Sequence, residues 1–199
     1  MMVLLAIALL AGSGNSKPPA GWVPSLLDCS PQKCTFADIR THLGDVPVSR
    51  SREGEPQLCY AAERRGDGAA VVFQSVADYV ELGVTSIRLV AAPPPTATCK
   101  AIKGITAAIA FSNGLRLGLT RAEVRRLLGP PDSSSGRALK WSRNYEVPLP
   151  PQMRERILAI EGEEALRAFP NLSGVASIAV VFGFDARADD ISVTRLETY

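Results

Sequence analysis

Apolar residues fall four apart on two short stretches of this chain, Ile39 with Leu43 and Val124 with Leu128, which is the spacing of one helix face. Elsewhere they gather in runs rich in Val, Ile, Tyr and Phe, the composition of strands. These runs predict strands over 58–63, 69–75 and 84–90 after the first helix, and over 138–145, 175–184 and 191–198 after the second. Arg65-Gly66-Asp67-Gly68 supplies a turn between the first two. A helix followed by three strands therefore occurs twice.

The two helices are written in nearly the same letters. Thr35-Phe36-Ala37-Asp38-Ile39-Arg40-Thr41-His42-Leu43-Gly44 aligns with Thr120-Arg121-Ala122-Glu123-Val124-Arg125-Arg126-Leu127-Leu128-Gly129. Thr35 and Thr120 can cap the first turn, and Asp38 and Glu123, three residues on, can return the bond. Gly44 and Gly129 suit the left-handed position that ends a helix, and Pro47 and Pro130-Pro131 prevent its continuation. A helix of about two turns is marginal alone, so each must be held by packing on a sheet. The strands match more loosely: Leu58-Cys59-Tyr60 with Leu139-Lys140-Trp141, and 70–73 with 179–182.

Between the units lies Ala91-Ala92-Pro93-Pro94-Pro95-Thr96-Ala97-Thr98, a stiff proline-rich linker. The expected organisation is a first, degenerate unit over 14–90, a linker over 91–100 and a second unit over 101–199. Residues 105–117 are expected to add strand material, with Asn113-Gly114 as a tight turn. The second unit carries an insertion at about 150–170. Its Met153, Ile157, Ile160, Leu166 and Phe169 suggest an amphipathic helix broken at Gly162.

Composition narrows the function classes. Of 199 residues 46% are hydrophobic and the net charge is +2, which excludes a disordered tail. The 22 basic residues are nearly balanced by 20 acidic ones, so no nucleic-acid partner is expected. His42 is the lone histidine, which leaves little for acid–base catalysis. The uncharged run 1–11 is too short to span a bilayer and fits a signal peptide over 1–13, cleaved near Gly14. Cys29 lies too far downstream for lipid modification, so any membrane association would be peripheral. Cys29, Cys34, Cys59 and Cys99 form an even set, which after an export signal favours disulfides. Of three connectivities, Cys29–Cys34 closes a small loop and Cys59–Cys99 ties a strand to the middle of the chain. A zinc site is the rival reading, but neither paired-cysteine knuckles nor nearby histidines accompany it. No metal and no cofactor are expected.

The stretch Gly118-Leu119-Thr120-Arg121-Ala122-Glu123-Val124-Arg125-Arg126-Leu127-Leu128-Gly129-Pro130-Pro131, with Trp141 on the next strand and Arg195-Leu196 on the last, resembles the SmpA/OmlA (BamE-like) domain. β-Lactamase-inhibitory-protein-like domains share that pattern, and there two such units stand in tandem. The resemblance covers about half the chain. It implies an α+β fold, a short helical layer on an antiparallel sheet. It further implies an exported, periplasmic or secreted, non-enzymatic protein that binds another protein. One expectation is an inhibitor of a hydrolase; the alternative is an accessory of outer-membrane assembly or envelope maintenance.

Each candidate contact residue has a plainer reading. Tyr60, Trp141 and Tyr145 are natural anchors on a sheet platform, or core residues beneath the helices. Arg121, Arg125, Arg126, Arg137, Lys140 and Arg143 bias the second unit toward an acidic protein surface or the envelope's anionic groups, or simply form a solvated face. The 150–170 insertion is a partner contact, or a cover for the sheet. Ser133-Ser134-Ser135-Gly136 reads as a flexible loop, Glu161, Glu163 and Glu164 as a solvated face, and Asp185, Asp189 and Asp190 as turn residues. No catalytic residue is assigned.

Overall fold

A computed structural model describes residues 22–64, 68–76, 83–168 and 170–198. The expected signal peptide, the 65–67 part of the first turn and Phe169 lie outside the described residues.

The protein is α+β; the described residues form nine strands in one sheet and four helices. In chain order these are α1 (Phe36–Leu43), β1 (Ser49–Arg50), β2 (Pro56–Ala62), β3 (Ala70–Gln74), β4 (Ser86–Val90), β5 (Cys99–Ile102), α2 (Arg121–Leu128), β6 (Ser133–Ser135), β7 (Ala138–Pro148), α3 (Pro151–Ile160), α4 (Gly162–Ala168), β8 (Asn171–Phe182) and β9 (Ala188–Thr198). Across the sheet the order is β1-β2-β3-β4-β9-β8-β7-β6, all antiparallel, while β5 runs parallel to β2 along part of its edge. Strands from both repeated segments thus share a single sheet, joined where β4 pairs β9 from Ser86–Thr194 to Val90–Asp190.

Both short helices carry the expected punctuation. Thr35 Oγ1 accepts from the Asp38 N–H at 3.1 Å, and Asp38 Oδ2 accepts from the Thr35 N–H at 2.9 Å. Thr120 and Glu123 repeat the box at 3.3 and 2.8 Å. Gly44 and Gly129 end the helices at φ of 87° and 79°, and their N–H groups reach Arg40 O and Arg125 O. The buried faces are Phe36 with Ile39, and Val124; Leu43 and Leu128 pack at the margin of the same core.

Alternation, strict in β8 and interrupted in β7 at Arg143 and in β9 by a bulge before Asp190, decides what faces the helices. In β8, Leu172, Gly174, Ala176, Ile178, Val180 and Phe182 point inward, and the residues between them do not. Leu139 and Trp141 of β7, Ile191 and Val193 of β9, Ile87 and Leu89 of β4, and Leu58 and Tyr60 of β2 complete the core. Burial of so many large side chains, each worth roughly 1.5–3 kcal/mol, is what holds two-turn helices in place. A second cluster, Leu149, Ile157 and Leu172, seats α3 and α4 over the far ends of β7 and β8.

Three expectations need correction. Cys99–Ile102 is a strand, although 91–100 reads as linker. Ser133–Ser135 is an edge strand, although the serines read as a flexible loop. Residues 105–117 add no strand; they bury Ile105, Phe111, Leu115 and Leu117 from an irregular path with one isolated bridge, Ala110 to Arg116. The insertion follows its expectation: it is helical and breaks at Glu161–Gly162 into α3 and α4.

Gly174 has a reason of its own. It pairs with Tyr145 across β7–β8, and a Cβ there would overlap the tyrosine ring, which lies flat over the bare backbone. Gly174→Val is expected to destabilise by about 1–3 kcal/mol through overpacking, measured by urea denaturation. A neutral result would mean the ring has room to leave.

Candidate interaction surfaces

The disulfides come first, because they fix what surrounds them. Cys29–Cys34 closes a loop of sequence separation 5, and Cys59–Cys99 one of 40, with Cα–Cα distances of 5.7 and 4.4 Å. These are compatible with an exported protein, since such bonds persist in oxidising compartments. No helix among the described residues is long and apolar enough to cross a membrane. The short loop is further pinned by Gln32 N–H to Val84 O and Val84 N–H to Cys34 O, at 2.6 and 2.8 Å.

The three candidate aromatic anchors are buried. Tyr60, Trp141 and Tyr145 are at most 1% exposed, so none is offered to a partner. Tyr60 and Trp141 do occupy matched positions. The Tyr60 hydroxyl donates to Gly44 O at 2.8 Å, and Trp141 Nε1–H donates to Gly129 O at 3.2 Å. In each segment the strand aromatic thus satisfies the carbonyl of the glycine that ends the helix, which helical bonding leaves unpartnered. Tyr145 reaches past Gly174 to β9. Its hydroxyl donates to Glu197 Oε1 at 3.0 Å and accepts from Arg195 Nε at 2.8 Å. Burial, then the bond to Glu197, push this phenol up to about 12.

The remaining candidates scatter. Arg125 is exposed on α2. Arg143 pairs with Asp132 at 3.0 Å and lies 5.5 Å from the Trp22 ring centroid. His42 Nδ1 lies 2.8 Å from Asp38 O and lines a cleft of about 270 Å³ beside Cys29, Cys34 and Phe73. Glu163 pairs with Arg167, and Asp190 leaves its turn role to pair with Arg88 at 2.6 Å. Asp185 keeps that role by accepting the Arg187 N–H at 3.1 Å.

Several carboxyls carry a pH signature. The Thr35 N–H and then its hydroxyl hold Asp38 below the usual carboxylate range, and Thr120 does the same for Glu123. The Ser142 N–H lowers Asp132. A carboxyl lowered in this way stabilises the fold above its ordinary pKa, and that contribution is lost as the pH falls through the folded value. The thermal midpoint is therefore expected to drop as acid is added through and below the carboxylate range. The Thr35→Ala, Thr120→Ala double variant should show a shallower drop; an identical slope would place the titration elsewhere.

What sequence reading missed is a surface without notable chemistry. Across β4, β9, β8 and β7 the sheet face away from the helices carries rows of side chains, short on β8 and β9 and longer at Arg88 and Lys140. Ser86, Thr194, Ser177 and Ser142 form one row, and Arg88, Ser192, Ala179 and Lys140 the next. Val175 and Asn144 are exposed beyond them. At four strands the face is about 14 Å across. Toward β2 it ends in a cleft of about 460 Å³ between the 51–53 turn and Pro94–Pro95, floored by Gln57 and Arg88. Period-two parity in 171–182 and 188–198 was the signal that could have found it.

Among protein-family models, characterised proteins and solved structures, none matches this chain.

Proposed function

We propose that this chain is an exported, non-enzymatic protein-binding protein of the cell envelope that recognises its partner on the open sheet face. One observation carries the reading: the helices cover one side of the sheet, while on the other side β9, β8 and β7 stay open, as does β4 up to Val90, which the 91–98 segment covers. A rigid floor of small residues between paired side chains, Arg88–Asp190 and Thr194–Ser86, loses little conformational entropy when a partner loop settles on it. The doubled capping boxes and the doubled aromatic–glycine bonds support descent from two tandem units of the SmpA/OmlA or β-lactamase-inhibitory-protein-like kind. Inhibition of a hydrolase is the favoured role. The envelope-assembly role gains support from Leu158 and Ile160, which α3 leaves 46% and 70% exposed.

The test is Ala179→Arg, which fills the middle of the face without touching the core. The mature chain should capture a soluble partner in a one-to-one complex from envelope extract, and the variant, with an unchanged thermal midpoint, should lose it by about a hundredfold. Retained binding would remove the open face from the proposal. Recovery in the membrane fraction through α3 would favour the assembly role.

A further inference from the structure

The turn between β8 and β9 holds a side chain that the fold does not need. Phe184 is 100% exposed, while every other exposed large hydrophobic residue among those described is at 70% or less. The Arg137 guanidinium lies 4.5 Å over its ring. Beside it, Arg121 lies 4.7 Å over Phe182 and donates to Gly136 O at 2.8 Å. Arg187 donates to Gly118 O at 2.9 Å and bridges Thr120. Arg126 and Arg116 close the group around Glu123, whose carboxylate is occupied by Thr120.

We propose that Phe184 and the arginines around it form a second contact surface, which seats the phenylalanine in an apolar socket on an acidic protein surface. The inference rests on the protein-binding reading above and adds the chemistry of the partner. Two features decide the partner class. First, Arg116, Arg121, Arg126, Arg137 and Arg187 share this end of the molecule, although the chain's net charge is only +2. Their backbone bonds hold two of them in place beforehand, so little freedom is lost on binding. Aromatic and arginine side chains are also the types enriched at protein interfaces. Second, Asp185 adjoins Phe184, and its carboxylate and that of Asp189 lie on the same side of Gly183. Insertion of Phe184 into an anionic bilayer would press Asp185 among like charges, whereas a protein can answer that carboxylate with one local donor.

The experiment places photoreactive p-benzoylphenylalanine at 184 and, separately, at 175 on the open sheet face. Both chains are irradiated with envelope extract and with vesicles of phosphatidylglycerol and phosphatidylcholine. The 184 probe should yield one protein adduct. Its yield should fall about tenfold in Arg126→Glu with Arg137→Glu, survive Arg126→Lys with Arg137→Lys, and fall as salt rises from about 50 to about 500 mM. Salt acts on unaltered side chains, so this arm does not depend on the variants folding. An adduct indifferent to charge reversal and salt overturns the proposal, as does one formed only with vesicle lipid. An adduct from 175 without one from 184 overturns this surface and leaves the open-face reading standing. No protein adduct from either position overturns both.

Discussion

Replacing Cys59 and Cys99 together by serine is expected to lower stability by about 4 kcal/mol, the entropy that a closed loop of some 40 residues removes from the unfolded chain. For a domain whose whole stability is of order 5–15 kcal/mol, that is a loss of first rank. The bond also does local work. It holds β5 in parallel register on β2, Cys59 beside Cys99, where a four-residue strand has few ladder bonds of its own. It anchors the 91–98 segment over Val72, Ala70 and Val90. Equilibrium urea denaturation of the oxidised protein and the double variant measures the difference. A loss below about 1 kcal/mol would mean that the ladder suffices. Opening Cys29–Cys34 should cost about 2 kcal/mol by the same loop argument, since only five residues of sequence separate the pair.

Trp141→Ala should cost about 3–5 kcal/mol. The side chain is 1% exposed and packs among Leu139, Ile178 and Val180 beneath α2. Its loss leaves a cavity in the sheet core and orphans the Gly129 carbonyl. Trp141→Phe separates these terms. Most of the packing survives, the indole N–H does not, and an unpartnered carbonyl costs about 1–3 kcal/mol. Tyr60→Phe should reproduce that smaller loss at Gly44, because the bond is the same one in the other segment. Denaturation midpoints of the three variants make the comparison. Equal losses in Trp141→Ala and Trp141→Phe would assign the whole effect to the hydrogen bond.

The helices and the six long strands were legible because each is specified locally. Caps, C-terminal glycines and runs of Val and Ile leave little choice, and the described structure follows them within a few residues. What was not legible depends on neighbours. Ser133–Ser135 has no strand composition; it is a strand because β7 offers Lys140, Leu139 and Ala138 as partners. Cys99–Ile102 follows a proline-rich run and is extended because a disulfide and β2 hold it so. Tyr60, Trp141 and Tyr145 could be assigned to one face by alternation, but alternation alone does not say which face the helices cover. Phe184 sits in a turn, where no periodicity applies and exposure follows only from what fails to pack on it.

The strand order has a consequence for biogenesis. β9, the latest of the nine described strands, is not at an edge; it lies between β4 and β8, in the middle of the sheet. A chain delivered N-terminus first can form β2, β3 and β4 early, yet the β4 edge and the β8 edge each stay unpaired until residues 188–198 arrive. Those open edges are templates for pairing with other chains. Closure needs contacts between residues more than a hundred positions apart, such as Ser86 with Thr194, and contacts that distant form slowly. The interval between first emergence and closure is therefore the time at which this protein most needs shielding from its own copies.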